Sequence, residues 1–184
     1  RMDADTITAT QSHEVLLDRF RRKKIPILLG TQMVAKGLDF PNVTLVGVID
    51  ADLSLYTDNY RAAERTFSQL TQVVGRAGRG EKPGRAVLQT WSPENEVMVL
   101  ASRQDYDAFY REEREMRRIL RFPPFTNLFR ITVTGQEENQ VLRLCAVLRR
   151  SLEPWVARRQ AEGQETEVLG PAPAGILKVN NRYR

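Results

Sequence analysis

The chain has 184 residues, 41% hydrophobic and 28% charged, which is ordinary for a folded domain, so disorder is not the default expectation. This length suits one substantial hydrophobic core, or one core with a smaller second module. Lysine and arginine exceed aspartate and glutamate by 28 to 23. This mild excess fits an anionic partner or an ordinary solvated surface.

The single cysteine, Cys145, excludes an internal disulfide and favours a reducing, cytoplasmic setting. Because the sequence has one cysteine and one histidine, His13, it contains no cluster of metal ligands and no metal site is predicted. No apolar run approaches the roughly 20 residues of a membrane span, so we expect no membrane partner. Because position 1 is not methionine, we expect a piece of a longer protein.

A possible strand at Met2 to Ile7 opens the chain, and an amphipathic helix follows the capping residue Ser12. Two unbroken apolar runs come next, "IPILLG" at residues 25–30 and "VTLVGVI" at residues 43–49. Such runs are typical of parallel strands buried on both faces, which predicts an α/β domain. Ligands lie beyond the carboxyl ends of such strands, so the loops at 30–42 and 50–58 are candidate site loops.

A helix is predicted from residue 59 or 60 to Val74, because Ala63, Phe67, Leu70 and Val74 recur at helical spacing. After a "GEKPG" turn, "RAVLQTW" predicts a strand, and residues 94–121 predict one long charged helix. The prolines of "FPPF" end this helix. We therefore predict two domains, residues 1–122 and 123–184.

The second domain is predicted to be the beginning of a small α+β domain, cut short. It has an alternating strand at 128–135 and a long helix that contains Cys145 in its apolar seam and is broken at Pro154. Strands follow at 166–170 and 175–179. The final "NNRYR" is predicted to contain no turn.

The segment "QVVGRAGRG" at residues 72–80 carries the clearest chemistry. Arg76 and Arg79 present planar forks that match phosphate oxygens, and Gly75 and Gly78 leave room for close approach. Gln72, one turn earlier, could orient a water or a carboxylate. A nucleotide site is favoured, against a simple helix C-cap or a disordered arginine-glycine segment.

The stretch "GTQMVAKGLDFPN" is a second candidate for phosphate binding. Thr31 follows a predicted strand directly and offers a hydroxyl, while Lys36 and Gly37 offer a charge and a place of close approach. Asp39 could accept a hydrogen bond from a ribose hydroxyl or pair with an arginine. The residue types in this loop are common in turns, so the loop alone is only moderately specific.

These two stretches resemble the sixth and fifth motifs of superfamily 2 helicases. The wording "GTQM-AKG-DFP", "YRAAERTFSQLTQV" and "RFPPFTNLFRI" is closest to the primosomal replication-restart helicases, and the similarity covers nearly the whole chain. The resemblance implies a partial RecA-like lobe 2 followed by the start of the C-terminal domain. It also implies an ATP-dependent 3′ to 5′ DNA helicase of the bacterial cytoplasm and nucleoid, acting in primosome assembly and restart of stalled forks.

The resemblance also implies roles for individual residues. Arg79 would be the arginine finger that reaches the γ-phosphate, with Arg76 as its companion and Gln72 as the link to the other lobe. Asp39, Gly37, Gly75 and Gly78 would lie near the nucleotide. Residues expected on the single-stranded DNA backbone are Thr31, Gln32 and Lys36.

Other parts of the family pattern are missing from this sequence. It contains neither the Gly-x-x-x-x-Gly-Lys-Ser/Thr phosphate loop nor the Asp-Glu-x-His motif, so ATP and Mg²⁺ would be completed by a first lobe outside the chain. Zinc is expected in the parent protein only. We expect no ATP hydrolysis by these 184 residues alone.

The partners implied are forked or branched DNA with single-stranded regions, primosome proteins and single-strand-binding protein. Two alternatives stay open: an RNA helicase or another branched-DNA translocase with the same sixth motif, and a noncatalytic nucleic-acid scaffold that keeps its arginines for phosphate contact.

Overall fold

The computed structural model describes residues 13–23, 25–31, 41–78 and 82–184. The chain divides into two compact units, one ending at Thr126 and the other running from Asn127 to Arg184. The elements of the first unit are α1 (His13–Arg22), β1 (Leu45–Val48), a 3₁₀ helix (Ala51–Ser54), α2 (Ala62–Val74), β2 (Arg85–Leu88), α3 (Glu96–Arg103) and α4 (Tyr106–Ile119). Those of the second unit are α5 (Glu138–Ala161), β3 (Lys178–Val179) and β4 (Arg182–Tyr183).

In the first unit, β1 and β2 form a parallel pair with Leu45 opposite Arg85 and Val48 opposite Leu88. Parallel neighbours need a crossover connection, and the 3₁₀ helix and α2 supply it. The predicted α/β class is confirmed. Both strands alternate between exposed and half-buried residues rather than being buried on both faces.

The core of the first unit lies between α2, α3 and α4. Phe67 and Leu70 of α2 are buried with Met98 and Ala101 of α3, as the apolar spacing of α2 predicts. The ring of Phe67 stacks on that of Phe109 of α4 with centroids 4.1 Å apart. This packing fixes the direction of α2.

Two predicted elements of the first unit are wrong. Residues 25–30 form no strand and contribute a single bridge residue, Gly30. The one helix predicted at 94–121 is two, because Gln104 adopts a left-handed φ of 55° and Asp105 restarts the helix. The Asp105 side chain caps α4 by accepting the Ala108 N–H at 3.0 Å. The possible strand at 2–7 lies outside the described residues.

The second unit is built on the 24-residue helix α5, which continues through Pro154 instead of breaking there. Val141 is the buried residue of α5, whereas Cys145 is only half-buried. A hairpin of β3 and β4 closes the chain, and its turn residues Asn180 and Asn181 have φ of 48° and 59°. Asparagine tolerates this conformation, so the prediction of no turn in "NNRYR" is wrong.

The strands predicted at 128–135 and 166–170 are also absent from the second unit. Gly135 makes one antiparallel bridge to Tyr183, but Phe129 and Ile131 of the same run remain 88% and 65% exposed. An alternating run becomes a strand only where a partner strand and a surface to pack on are present. No helix in the described part of the chain is long and apolar enough to cross a membrane.

Candidate functional site

The end of α2 carries the described part of the sixth-motif sequence. Past Val74 the chain tightens into a turn, in which the Gly75 N–H donates to the Thr71 carbonyl at 3.0 Å and the Arg76 N–H to the Val73 carbonyl at 3.0 Å. These bonds satisfy carbonyls that the helix would leave unpaired at its C-terminus. With the Ala77 N–H donating to the Val74 carbonyl at 3.3 Å, the turn extends the end of α2 up to Ala77.

Gly78 fastens this turn to the amino-terminal edge of the sheet. Its N–H donates to the carbonyl of Val43, just before β1, at 3.2 Å. Its φ is +73°, and a Cβ at this position would lie only 2.8 Å from the Cα of Gly84, just before β2. Only glycine combines this conformation with this approach. Gly84 is a site-shaping residue that the sequence analysis placed only in a turn.

Gln72 lies in the last turn of α2, and Arg76 lies in the turn that follows the helix. Gln72 is exposed and Arg76 is half-buried. A Cβ on Gly75 would lie 3.3 Å from the Thr71 carbonyl oxygen and 3.5 Å from the Gln104 amide nitrogen, so a methyl group would be tightly confined there. The structure thus brings together four of the predicted site residues: Gln72, Gly75, Arg76 and Gly78.

Of the remaining predicted site residues, the structure describes one. Thr31 is described and exposed. Five others lie outside the described residues, and their roles stay predictions: Gln32, Lys36, Gly37, Asp39 and Arg79.

The loops at the carboxyl ends of β1 and β2 are joined by a buried carboxylate that sequence analysis did not identify. Asp52, 3% exposed, accepts the Thr90 hydroxyl at 2.7 Å and the Trp91 N–H at 2.8 Å. The Ala51 N–H donates to the Gln89 carbonyl at 3.0 Å. Because both oxygens of Asp52 are bound within the protein, its role is to hold the loops together. Gly78 lies at the opposite, amino-terminal edge.

Arg117 of α4 joins three segments of the first unit. Its guanidinium donates to Glu64 of α2 at 2.6 Å, to Glu113 at 2.7 Å and to the carbonyl of Pro123 at 3.3 Å, and it lies 5.4 Å from the ring centroid of Tyr60. Burial lowers the pKa of Arg117, but the hydrogen bonds and charges of the two glutamates raise it by more. Arg117 therefore stays charged and structural.

Among the residues that the structure describes, no group of three or more histidine, cysteine, aspartate or glutamate side chains could hold a metal ion. Arg76, the arginine in the described part of the α2 turn, is an obligate cation next to Gly75 and Ala77, and its guanidinium is of the type that suits phosphate oxygens.

Two family models match the sequence. The helicase conserved C-terminal domain matches residues 3–81, and the primosomal protein N C-terminal domain matches residues 118–184. The matched part of the first unit, which contains β1 and α2, therefore belongs to a RecA-like helicase lobe 2, as predicted.

The particular family follows from relatives named replication restart protein PriA. The protein from Bacillus subtilis is 44% identical over 184 residues, that from Synechocystis sp. 42% over 187, and that from Chlamydia trachomatis 43% over 187. Each alignment covers 100% of this chain and 21 to 24% of the relative. The chain belongs to the PriA family, and it spans less than a quarter of the length of these relatives.

Proposed function

We propose that the chain supplies the second lobe of an ATP-dependent DNA helicase that moves 3′ to 5′ and acts in primosome assembly and replication restart. The observation that carries this proposal is the fixed position of Gly78, tied to Val43 and pressed against Gly84. Arg79 follows Gly78 directly in the sequence. An arginine finger needs such an anchored backbone, because its effect depends on placing a charge at the developing transition state.

The nucleotide roles belong to the sixth-motif residues. Arg79 reaches the γ-phosphate oxygens, Arg76 stabilises the phosphates beside it, and Gln72 couples the nucleotide to the opposing lobe. Gly75 and Gly78 keep the backbone close to the phosphates; a side chain would be tightly confined at Gly75 and would collide with Gly84 at Gly78. Two fifth-motif residues, Gly37 and Asp39, complete the nucleotide side.

The DNA roles belong to the first residues of the fifth motif. The hydroxyl of Thr31 and the amide of Gln32 donate to phosphate oxygens of a single strand, and Lys36 supplies the charge that favours the backbone over neutral ligands. Opening and closing of the cleft between the lobes then moves the strand in steps. The proposed substrate is forked or branched DNA.

ATP and Mg²⁺ would be held mainly by a first lobe, because the phosphate-loop sequence does not occur in these 184 residues. When bound, Mg²⁺ neutralises charge on the phosphates, and this chain adds its arginines from the other side. We propose that the chain alone does not turn over ATP. The longer protein would bind zinc, meet primosome proteins and single-strand-binding protein, and work at the bacterial nucleoid.

The test is the Arg79→Ala substitution in the longer protein that carries this chain. DNA-stimulated ATP turnover should fall by about 10³-fold or more, with affinity for single-stranded DNA within about twofold of the original. Arg103→Ala is the matched control, since Arg103 is an exposed arginine at the end of α3. It should change neither quantity.

Three results would contradict the proposal. Weakened DNA binding at unchanged turnover would assign Arg79 to a scaffold that contacts the phosphate backbone. Stimulation of ATP turnover by RNA rather than by DNA would assign the protein to the RNA helicases. Magnesium-dependent turnover by the purified 184-residue chain would show that the site is complete without another lobe.

A further inference from the structure

Gly84 is in close contact with the turn that follows α2, although the segment 79–83 separates the two in the sequence. Gly84 directly precedes β2. A Cβ added to it would lie 2.0 Å from the backbone nitrogen of Gly78, 2.3 Å from the carbonyl carbon of Ala77 and 2.4 Å from the Cα of Gly78. All three distances are below 3.0 Å, so the atoms would overlap. Position 84 therefore admits no side chain while the turn stays where it is.

The sheet keeps Gly84 from moving away from the turn. The N–H of the next residue, Arg85, donates to the carbonyl of Thr44 at 2.8 Å and so continues the pairing of β1 with β2. The turn is held at this point by a longer hydrogen bond, from the Gly78 N–H to the Val43 carbonyl at 3.2 Å. A side chain at position 84 would therefore displace the turn rather than β2.

The part of the turn that would be displaced lies between the two arginines of the sixth motif. Arg76 and Arg79 are three residues apart, and the peptide unit that joins Ala77 to Gly78 connects them. A guanidinium stabilises charge on a phosphoryl group only where its N–H groups point at the oxygens. A misplacement of about 1 Å can lower a rate about 10²-fold. The backbone between the arginines must therefore be held in place.

From these contacts we propose that Gly84 is a positioning residue for the sixth-motif arginines. It acts through the peptide unit of Ala77 and Gly78, which can lie against β2 because position 84 has no side chain. Gly84 is outside the segment "QVVGRAGRG" and has no side chain with which to bind a nucleotide. This role rests on the proposed function, since it requires that Arg76 and Arg79 act on the phosphates.

The test is Gly84→Ala in the longer protein that carries this chain, with Gly47→Ala as the matched control. Gly47 lies on the paired strand β1, and an added Cβ there has nothing within 4 Å. In Gly84→Ala, kcat for DNA-stimulated ATP turnover should fall about 10²-fold, with KM for ATP within about threefold of the original. Gly47→Ala should change neither quantity. Turnover is expressed per molecule that binds single-stranded DNA, so that unfolded protein is not counted.

Two measurements that do not depend on turnover distinguish positioning from a loss of stability. Gly84→Ala should weaken the binding of ADP with aluminium fluoride, an analogue of the transferring phosphoryl group, by about the factor lost in kcat. The Kd of ADP alone should not change. Without nucleotide, hydrogen exchange should be about tenfold faster in the peptide that contains Gly78, because its bond to Val43 is lost, and unchanged in α3.

A double variant separates this role from the proposed function. If Gly84 acts through the arginines, adding Gly84→Ala to Arg79→Ala should lower kcat by less than about tenfold, well short of its effect alone. Full turnover in Arg79→Ala would contradict the proposed function and the role of Gly84 with it. Loss of turnover in Arg79→Ala together with full turnover in Gly84→Ala would overturn the role of Gly84 alone.

Three further results would overturn the positioning role and leave the proposed function intact. Equal weakening of ADP and of its aluminium fluoride complex would show a general loss of the nucleotide site. Fully additive losses in the double variant would show that Gly84 acts independently of Arg79. A Gly84→Ala protein that does not fold would assign Gly84 to folding and not to the placement of the arginines.

Discussion

Gly78 combines two constraints that can be tested separately. Its positive φ costs an ordinary residue about 1–2 kcal/mol, and a Cβ would also collide with the backbone of Gly84. We expect Gly78→Ala to lower the free energy of unfolding of the first unit by more than about 2 kcal/mol. Urea unfolding followed by circular dichroism measures this loss.

Two further glycines separate the effect of the positive φ from that of the close approach to Gly84. Gly163, in the second unit, has a φ of +78° with nothing within 4 Å of an added Cβ, so Gly163→Ala should lower the free energy of unfolding of that unit by only about 1 kcal/mol. Gly47 has open space and no positive φ, so Gly47→Ala should cause no loss. If Gly78→Ala were no more harmful than Gly163→Ala, the close approach to Gly84 would not contribute to stability.

The sequence predicts which residues belong to the candidate site, but it does not predict which residues they contact. The repeated Gly-Arg pattern identifies Gly75, Arg76 and Gly78 as candidates, because close approach and cationic forks suit phosphates. Nothing in the spacing indicates that Gly78 meets Gly84. In the same way, Asp52 is one of several aspartates in its loop, and only its burial against Thr90 and Trp91 shows its role.

Among the elements, α4 is joined to α2 by Arg117 rather than by apolar packing alone. Arg117→Met should lower the free energy of unfolding of the first unit by about 1–3 kcal/mol, because Glu113 loses its cation in a partly buried position. The loss should be smaller than for a fully buried pair, because Glu64 is half exposed and water screens it. Thermal or urea unfolding measures the change.

The neighbouring residue Arg118 gives a control on the same helix. Arg118 pairs with Glu115 at the surface, with both side chains more than half exposed. Arg118→Met should leave the stability of the first unit without measurable change. An equal loss in the two variants would mean that Arg117 acts through helix propensity or net charge and not through its contacts.

Prediction of the elements succeeded where a run of apolar residues has a surface to cover within its own unit. The spacing of Phe67 and Leu70 correctly predicts α2, since both residues are buried against α3 and α4. The run at 128–135 has a clear two-residue alternation, yet Phe129 stays exposed and no strand forms. Periodicity records which face a segment could bury, but not whether a partner is present.

Local chemistry explains the remaining differences in the elements. Apolar residues continue on both sides of Gln104, so periodicity alone joins α3 and α4 into one helix. The capping residues Asn95 and Asp105 mark the two true starts, with side chains that accept backbone N–H groups at 3.0 Å. Asp105, as a capping residue, indicates the start of α4, and the Asn180–Asn181 pair indicates the turn of the last hairpin.

At the scale of the whole molecule, the excess of five positive charges bears on how the chain meets a nucleic acid. A general attraction and a specific backbone contact differ in their salt dependence. For single strands, the logarithm of the binding constant falls with the logarithm of salt concentration with a slope of about −0.7 per neutralised phosphate. The salt dependence of DNA binding can therefore show whether the fifth or the sixth motif contacts the DNA backbone.

We expect Lys36→Ala to make the slope for single-stranded DNA shallower by about 0.7, because one phosphate contact is lost. Arg79→Ala should leave the slope unchanged in the absence of nucleotide, since its proposed partner is the γ-phosphate. Fluorescence anisotropy with a labelled oligonucleotide over about 50 to 200 mM salt measures both slopes. Equal slope changes in the two variants would place Arg79 on DNA. An unchanged slope in Lys36→Ala would remove the fifth motif from the DNA path, even if the helicase assignment of the lobe stands.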